Sequence, residues 1–291
     1  VKSINPEAYL VGEIWWEKWP DKMMDPVPYV NEKVFDAIMF YQAYSPARSF
    51  FAKTMNPMSA GQVSDSLTAL WSSLPANFRD AQMNVSATHD SPRLLTCFYN
   101  PGKYKYNAKP SDDSTYLTGR PDEETYQRVK LYLIHQFTSI GSPHIWNGDE
   151  MGMWGADDPD CRKPLWWKEL QFEPETRTNL LKSRKAYDSV GFNDNLFEFY
   201  KKIIQIRKDN PVLINGNLEF LRTDDKILSY KRANELEEIL VIFNISSEMT
   251  EYSLAPGNAY QSILDQNITL NNNILKLAPL SATILKVVKS D

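Results

Sequence analysis

The stretch AYLVGEI at residues 8–14 is a short apolar run that ends in a carboxylate and an isoleucine. Such a run is typical of a strand buried inside a parallel sheet. Three further runs follow, at residues 35–40, 82–87 and, more weakly, 142–146. Stretches with helical spacing separate them, at residues 63–74, 122–140 and 194–209. Strands that alternate with helices in this way predict parallel βα units.

The number of these units limits the architecture. We count about four, where a closed (β/α)8 barrel needs eight. Residues 1–210 are therefore predicted to be an α/β domain, the half of a (β/α)8 TIM barrel. After Pro211 short alternating runs take over, separated by turn residues such as Pro256-Gly257. That spacing predicts an all-β antiparallel sandwich over residues 211–291, with the domain boundary near Asn210.

Composition excludes several classes of protein. The net charge of -5 argues against a nucleic-acid partner. No apolar run approaches the roughly 18 residues of a membrane span.

Cys97 and Cys161 allow one disulfide but do not indicate a compartment. The chain starts at Val1 with neither an initiator methionine nor a targeting segment, which we interpret as a processed or truncated end; the localisation stays undetermined.

Acidic residues follow three of the predicted strands. They are Glu13, then Asp90, then the pair Asp149 and Glu150. Catalytic side chains of parallel barrels lie at these strand ends. Carboxylates gathered at one mouth repel, and the repulsion can raise the pKa of one carboxyl enough for it to donate a proton, as glycosidic cleavage requires. Each also has a structural interpretation: a solvated Glu13, an ion-paired turn at Asp90, and a loop cap at Glu150.

Tryptophans gather near these acids in the sequence. The chain has 8 Trp. Flat rings with a polar edge suit stacking against sugars, whereas filling a large core is an equally open explanation for any one of them. Those in predicted loops are Trp15, Trp16, Trp19, Trp146, Trp154, Trp166 and Trp167.

Three ordered motifs carry a resemblance to a known family. They are Gly12-Glu13-Ile14-Trp15, Thr88-His89-Asp90, and the segment from Gly141 to Gly152 that contains Trp146-Asn147-Gly148-Asp149-Glu150. The chain resembles glycoside hydrolase family 13, the α-amylase superfamily, nearest to its cyclomaltodextrinase and neopullulanase branch. The motifs match barrel strands 5, 7 and 8 of that family, and the C-terminal region resembles its C-domain.

The resemblance implies roles for individual residues. Glu13 would be the general acid/base, and Asp90 would stabilise the oxocarbenium-like transition state. His89 would hold sugar hydroxyls, and Asp158 and Arg162 would bind a neighbouring sugar. Trp15 or Trp16 would stack on sugar. No cofactor is required, no metal ligand is assigned, and calcium is possible but not indicated.

The departures from the family pattern concern the first half of the barrel. The family's nucleophile is an aspartate on strand 4, two residues after an arginine, and no such segment is present. Strands 1 to 4 would lie before Val1. His144 and Trp146 also replace the family's usual residues near strand 8, and Thr88 replaces a frequent asparagine.

These departures define the expected function and partners. A retaining enzyme needs two carboxyl groups about 5–5.5 Å apart, so the isolated chain is predicted to be inactive. Exposed strand edges predict pairing with the missing N-terminal half of the barrel or self-association. The expected activity of the parent is retaining hydrolysis of α-1,4-glucans or maltooligosaccharides. The alternatives are an α-1,6-cleaving or transglycosylating member, and a non-catalytic carbohydrate-binding fragment.

Overall fold

The computed structural model describes the chain except at residues 20–21, 101, 104, 106, 178–185, 266–267, 272 and 289–291, and at 186, 222 and 265 it describes the backbone alone. The first part alternates short strands with helices. Its elements are β1 (Val11–Gly12), β2 (Trp16–Lys18), β3 (Lys22–Met23), β4 (Ala37–Ile38), α1 (Tyr41–Phe51), α2 (Ala60–Ser73), α3 (Ala76–Arg79), β5 (Met83–Asn84), α4 (Leu94–Tyr99), α5 (Glu123–Thr138), β6 (Ser142–Pro143), β7 (Glu175–Arg177), β8 (Ala186–Asp188), α6 (Asp194–Asp209) and α7 (Val212–Asn215).

Four of these strands run parallel and side by side. β1 pairs with β4, a single bridge between Met39 and Met83 joins β4 to β5, and β5 pairs with β6. Their carboxyl ends therefore meet at one edge of the sheet. Each strand falls inside its predicted run but is shorter than that run. An apolar run marks buried chain, whereas a strand extends only as far as its neighbour stays in register.

The helices show where sequence patterns succeed and fail. The helix predicted over residues 194–209 has those bounds, and α2 and α5 lie within three residues of their predicted ends. Helix α1 was not predicted, because Pro46 lies inside it and proline normally interrupts a helix interior. Packing outweighs that cost, since Tyr41, Tyr44, Phe50 and Phe51 of α1 are all buried.

The C-terminal part is rich in antiparallel strands. They are β9 (Asn217–Asp224), β10 (Ile227–Ala233), β11 (Glu238–Asn244), β12 (Thr250–Ser253), β13 (Ala259–Asp265), β14 (Ile268–Asn271), β15 (Ile274–Leu277) and β16 (Ser281–Val288). Five form one sheet in the order β13-β16-β11-β10-β9, and three form another in the order β12-β15-β14. Leu240 and Leu285 of the larger sheet pack with Tyr252 and Leu275 of the smaller one, as expected for a sandwich. Strand β14 was not predicted, and the boundary near Asn210 stays a prediction.

One hydrophobic core links the barrel helices to the five-stranded sheet. His135 of α5 lies between Phe51 of α1 and Phe243 of β11, with ring centroids 5.4 and 6.5 Å away. Nearby, the fully buried guanidinium of Arg232 donates to the carbonyls of Thr138, Ser139, Leu213 and Gly216. These contacts fix the sheet against the ends of two helices.

The structure bears on two expectations from the sequence, a possible disulfide and the lack of a membrane span. Cys97 and Cys161 are both buried thiols, so the disulfide that the sequence allows is not formed. Within the described ranges, no helix is both long and apolar enough to cross a membrane.

Candidate active site

Two predicted site residues, Glu13 and Asp90, are linked through the hydroxyl of Tyr41. Glu13 follows β1 and is exposed, and Tyr41 is the first residue of α1, three residues beyond the end of β4. The Tyr41 hydroxyl donates to Glu13 Oε1 at 3.4 Å and lies 3.2 Å from Thr88 Oγ1. Thr88 Oγ1 in turn accepts the backbone N–H of Asp90 at 3.2 Å. The fold thus brings together the carboxyl ends of three neighbouring parallel strands.

The electrostatics of Tyr41 reflect both carboxylates. Burial raises the pKa of Tyr41 far above its usual value, and the nearby charges of Glu13 and Asp90 raise it further. The hydroxyl therefore stays protonated at neutral pH. It is a permanent hydrogen-bond donor to Glu13.

Asp90 lies in a turn that is held by a charged network. Its Oδ2 is 3.3 Å from Nε2 of His89, and its Oδ1 is 3.1 Å from a terminal guanidinium nitrogen of Arg162. That same nitrogen lies 2.7 Å from Asp158 Oδ1, and Nε of Arg162 donates to the carbonyl of His89 at 2.9 Å. The structure therefore brings Asp158 and Arg162 to the Asp90 turn. Their sugar-binding roles stay predictions.

A buried lysine completes the cluster, although it was not among the predicted site residues. Lys105 is 1% exposed, and its Nζ lies 4.2 Å from the ring centroid of Trp15 and 4.5 Å from that of Tyr41. It also donates to the backbone carbonyl of Asp90 at 3.4 Å. An ammonium over two aromatic faces is stabilised by their quadrupoles. Trp15 thus joins the site through Lys105.

The remaining tryptophans divide between surface and core. Trp16 packs edge to face against Trp19 in the β2–β3 hairpin, with ring centroids 4.6 Å apart. Trp146 is half-buried and its ring centroid is 6.2 Å from that of His89. Trp154 and Trp166 are buried against each other in a separate hydrophobic cluster. For those two, core filling is the correct interpretation.

The third acidic constellation does not join the mouth of the site. Asp149 is 3% exposed and forms a buried ion pair with Arg93 at 3.2 Å. Burial raises the pKa of Asp149 to about 7, and the Arg93 guanidinium partly opposes that shift. Glu150 accepts the N–H of Gly148 at 2.9 Å and so closes its own loop, as its capping interpretation expected. The turn at Asp90 is ion-paired through His89 and Arg162, whereas Arg93 pairs with Asp149.

Sequence reasoning missed Tyr41 and Lys105 for different reasons. Tyr41 follows a predicted strand directly, so the rule that placed Glu13 and Asp90 at strand ends could have found it. Lys105 is about fifteen residues beyond the strand-7 motif, and nothing in its local pattern indicates that it turns back. Among the described residues, no three His, Cys, Asp or Glu side chains are grouped so that they could hold a metal ion. The prediction about calcium stays untested.

Comparison with known proteins gives a consistent result. The family model described as "Alpha amylase, catalytic domain" matches residues 1–216. A cyclomaltodextrinase of Geobacillus thermopakistaniensis is 32% identical over 253 residues, which are 86% of this chain and 34% of that protein. Neopullulanase 2 of Thermoactinomyces vulgaris is 28% identical over 251 residues, 85% of this chain and 34% of that protein. The chain thus spans about a third of the length of these two curated relatives.

A solved structure supports the fold. The cyclic alpha-maltosyl-(1→6)-maltose hydrolase from Arthrobacter globiformis superposes with a TM-score of 0.68 at 22% identity, over 98% of this chain and 51% of that one. The resemblance seen in the three sequence motifs is confirmed by these matches. The chain therefore belongs to the alpha-amylase family of glycoside hydrolases, with residues 1–216 in the catalytic domain of that family.

Proposed function

We propose that the protein carrying this chain hydrolyses α-1,4-linked glucans or maltooligosaccharides with retention of configuration. The observation that carries the proposal is the link from Glu13 through Tyr41 and Thr88 to Asp90, at the carboxyl ends of parallel strands. Glu13 is exposed and accepts a hydrogen bond, so it can reach a substrate. It would protonate the departing glycosidic oxygen and then deprotonate the incoming water.

The other predicted residues would act on the sugar rings. Asp90 would bind ring hydroxyls more tightly as the sugar flattens, an interaction that raises turnover because it strengthens in the transition state. His89, Asp158 and Arg162 would orient neighbouring hydroxyls. Trp15 or Trp16 would provide aromatic surface for stacking on a sugar.

The nucleophile is proposed to lie outside this chain. The other carboxylate proposed for this site is that of Asp90, which is already bound by Arg162 and His89. In the family pattern the attacking aspartate comes from strand 4, which would precede Val1. The chain alone would then bind sugars without cleaving them.

Two other functions remain as alternatives. The names of the relatives include a neopullulanase and a hydrolase of a cyclic α-1,6-linked maltose compound, so α-1,6 cleavage or transglycosylation on the same scaffold is the first. A non-catalytic carbohydrate-binding fragment is the second, since a fold does not dictate function. Retention of Glu13, His89 and Asp90 together favours a catalytic parent.

The test uses the longer protein that includes barrel strands 1 to 4. It is incubated with maltotriose and with pullulan, and the products and their anomeric configuration are followed by NMR. Release of α-configured products from maltotriose supports the main proposal, whereas release of intact maltotriose from pullulan supports the α-1,6 alternative, because that product requires cleavage of the α-1,6 bonds. Glu13→Gln should abolish turnover while Glu17→Gln, an exposed neighbour paired with Lys22, should not. Full activity in Glu13→Gln would refute the assigned acid.

A further inference from the structure

Lys105 lies outside the three motifs of the site, yet its side chain ends at the centre of the site. The residue follows α4 in a long connection to α5 and is 1% exposed. Lysine is almost never buried to this extent unless nearby groups compensate its charge. The surroundings of its ammonium therefore indicate what the residue does.

The ammonium contacts three neighbouring segments of the barrel rim. Trp15 follows β1, Tyr41 begins α1 after β4, and Asp90 follows β5. The Nζ atom lies over both aromatic rings, at 4.2 and 4.5 Å, and donates to the Asp90 carbonyl at 3.4 Å. A single cation thus ties together the ends of three consecutive parallel strands. Two of the three segments carry the proposed acid and the proposed transition-state stabiliser.

The charges around Lys105 are complementary to it. Burial lowers the pKa of Lys105, and the negative charges of Glu13, Asp90 and Asp157, with Cys161, oppose that effect. Two carboxylates held at one mouth repel each other, and the repulsion grows as the site loses water. The Lys105 ammonium adds a positive charge near both carboxylates, beside the Arg162 guanidinium that already contacts Asp90.

We propose that Lys105 is a positioning residue of the acid centre, which fixes Trp15, Tyr41 and the Asp90 turn in one arrangement and places a positive charge near Glu13 and Asp90. The inference deepens the proposed function and rests on it. Lys105 acts through Tyr41 and the Asp90 turn and does not itself react. Small displacements of reacting groups are costly, which is why such a residue matters for rate.

The first experiment measures the electrostatic coupling without any turnover. The chain is labelled with 13C-lysine, the Lys105 13Cε signal is assigned with Lys105→Arg, and the signal is followed against pH. We expect a midpoint below the ordinary lysine range, and a further decrease in Glu13→Gln and in Asp90→Asn, because each substitution removes a negative charge that stabilises the ammonium. Glu17→Gln, whose partner is Lys22, should leave the midpoint unchanged.

The same Lys105 midpoint in wild type, Glu13→Gln and Asp90→Asn would overturn the proposal. The titration itself follows the wild-type lysine, and only its assignment uses the charge-conserving Lys105→Arg variant, so it does not depend on whether Lys105→Met folds. It is also independent of activity. A protein that fails to cleave maltotriose while Lys105 remains coupled to Glu13 would refute the proposed function alone.

The second experiment separates positioning from substrate binding. In the protein with a complete barrel, Lys105→Met should lower kcat for maltotriose roughly tenfold while KM changes less than about twofold. Lys105→Arg keeps the charge and should recover most of the loss. Lys103→Met is the matched control, since Lys103 lies in the same connection, is half-exposed and pairs with Asp113 at 3.8 Å. A wild-type kcat in a folded Lys105→Met variant would contradict the proposal.

Discussion

The hydroxyl of Tyr41 donates a hydrogen bond to Glu13 across 3.4 Å, although 28 residues separate the two in the sequence. The contact exists because β1 and β4 are neighbouring parallel strands, so the residues just beyond their carboxyl ends meet. Tyr41 remains a donor because burial keeps its pKa high. The proposed acid is thus oriented by a group that does not lose its proton.

Removal of this hydroxyl should impair the proposed acid. In the protein with a complete barrel, we expect Tyr41→Phe to lower kcat/KM for maltotriose about tenfold, the cost of one hydrogen bond to a charged or reacting group. The measurement is initial-rate kinetics at several pH values. Tyr187→Phe is the control, since that ring is 58% exposed in the β7–β8 hairpin. Equal rates for Tyr41→Phe and wild type would show that Tyr41 does not orient Glu13.

The contribution of the buried Arg93–Asp149 ion pair to the unfolding free energy should depend on pH. Truncation in Arg93→Met leaves Asp149 buried without its cation, which should cost about 3 kcal/mol of unfolding free energy above pH 8. The pKa of Asp149 is raised to about 7, so its favourable contribution is present at acid pH and is lost as the pH rises through 7. The penalty in Arg93→Met should therefore shrink toward pH 5. Urea unfolding of wild type and Arg93→Met above pH 8 and at pH 5 measures this penalty. Asp149→Asn is the control, since it has no carboxyl group at this position to titrate and its loss of stability should not shrink toward pH 5.

His135 should make the protein sensitive to acid. Burial lowers the pKa of His135 from 6.5 to about 4, so the folded state favours the neutral imidazole. A lowered pKa gives stability that is complete above pH 6.5 and declines as the pH falls toward 4, by up to about 3 kcal/mol. The variant His135→Phe removes this pH-dependent contribution to the unfolding free energy. Tyr230 keeps its hydrogen bond to Thr138 in the variant.

The test compares the unfolding free energy of wild type and His135→Phe between pH 7.5 and 4.5. The difference between the two should shift in favour of the variant as the pH falls. A difference that stays constant over this range would contradict the assignment of a neutral buried His135.

Association of the isolated chain is the remaining prediction. Parallel strands with unpaired edges recruit further strands. We therefore expect size-exclusion chromatography with light scattering to show oligomers of this chain alone, and a defined complex when a barrel half with strands 1 to 4 is supplied. A well-folded monomer that does not bind that half would contradict the partner proposal.

Helices and strands could be predicted from the sequence where residues close together in the chain determine them. Helix 194–209 was predicted at its observed bounds because Pro211 follows it closely and its apolar spacing is regular. Strand β14 was missed because Ile268–Asn271 is half-buried or exposed and offers little apolar signal. Helix α1 was missed because Pro46 argues locally against it, whereas its buried aromatic residues pay that cost through contacts with distant elements.

The order of three motifs along the chain determined the family, the parallel strands and the position of Glu13 and Asp90 at strand ends, since each depends on residues that are close in sequence. Tertiary structure alone decided which groups each carboxylate contacts. It placed Asp149 in a buried pair with Arg93 and brought Tyr41 and Lys105 to the acid centre. The physical reason is that burial and charge compensation depend on groups far apart in the chain, and no local pattern encodes the distances between them.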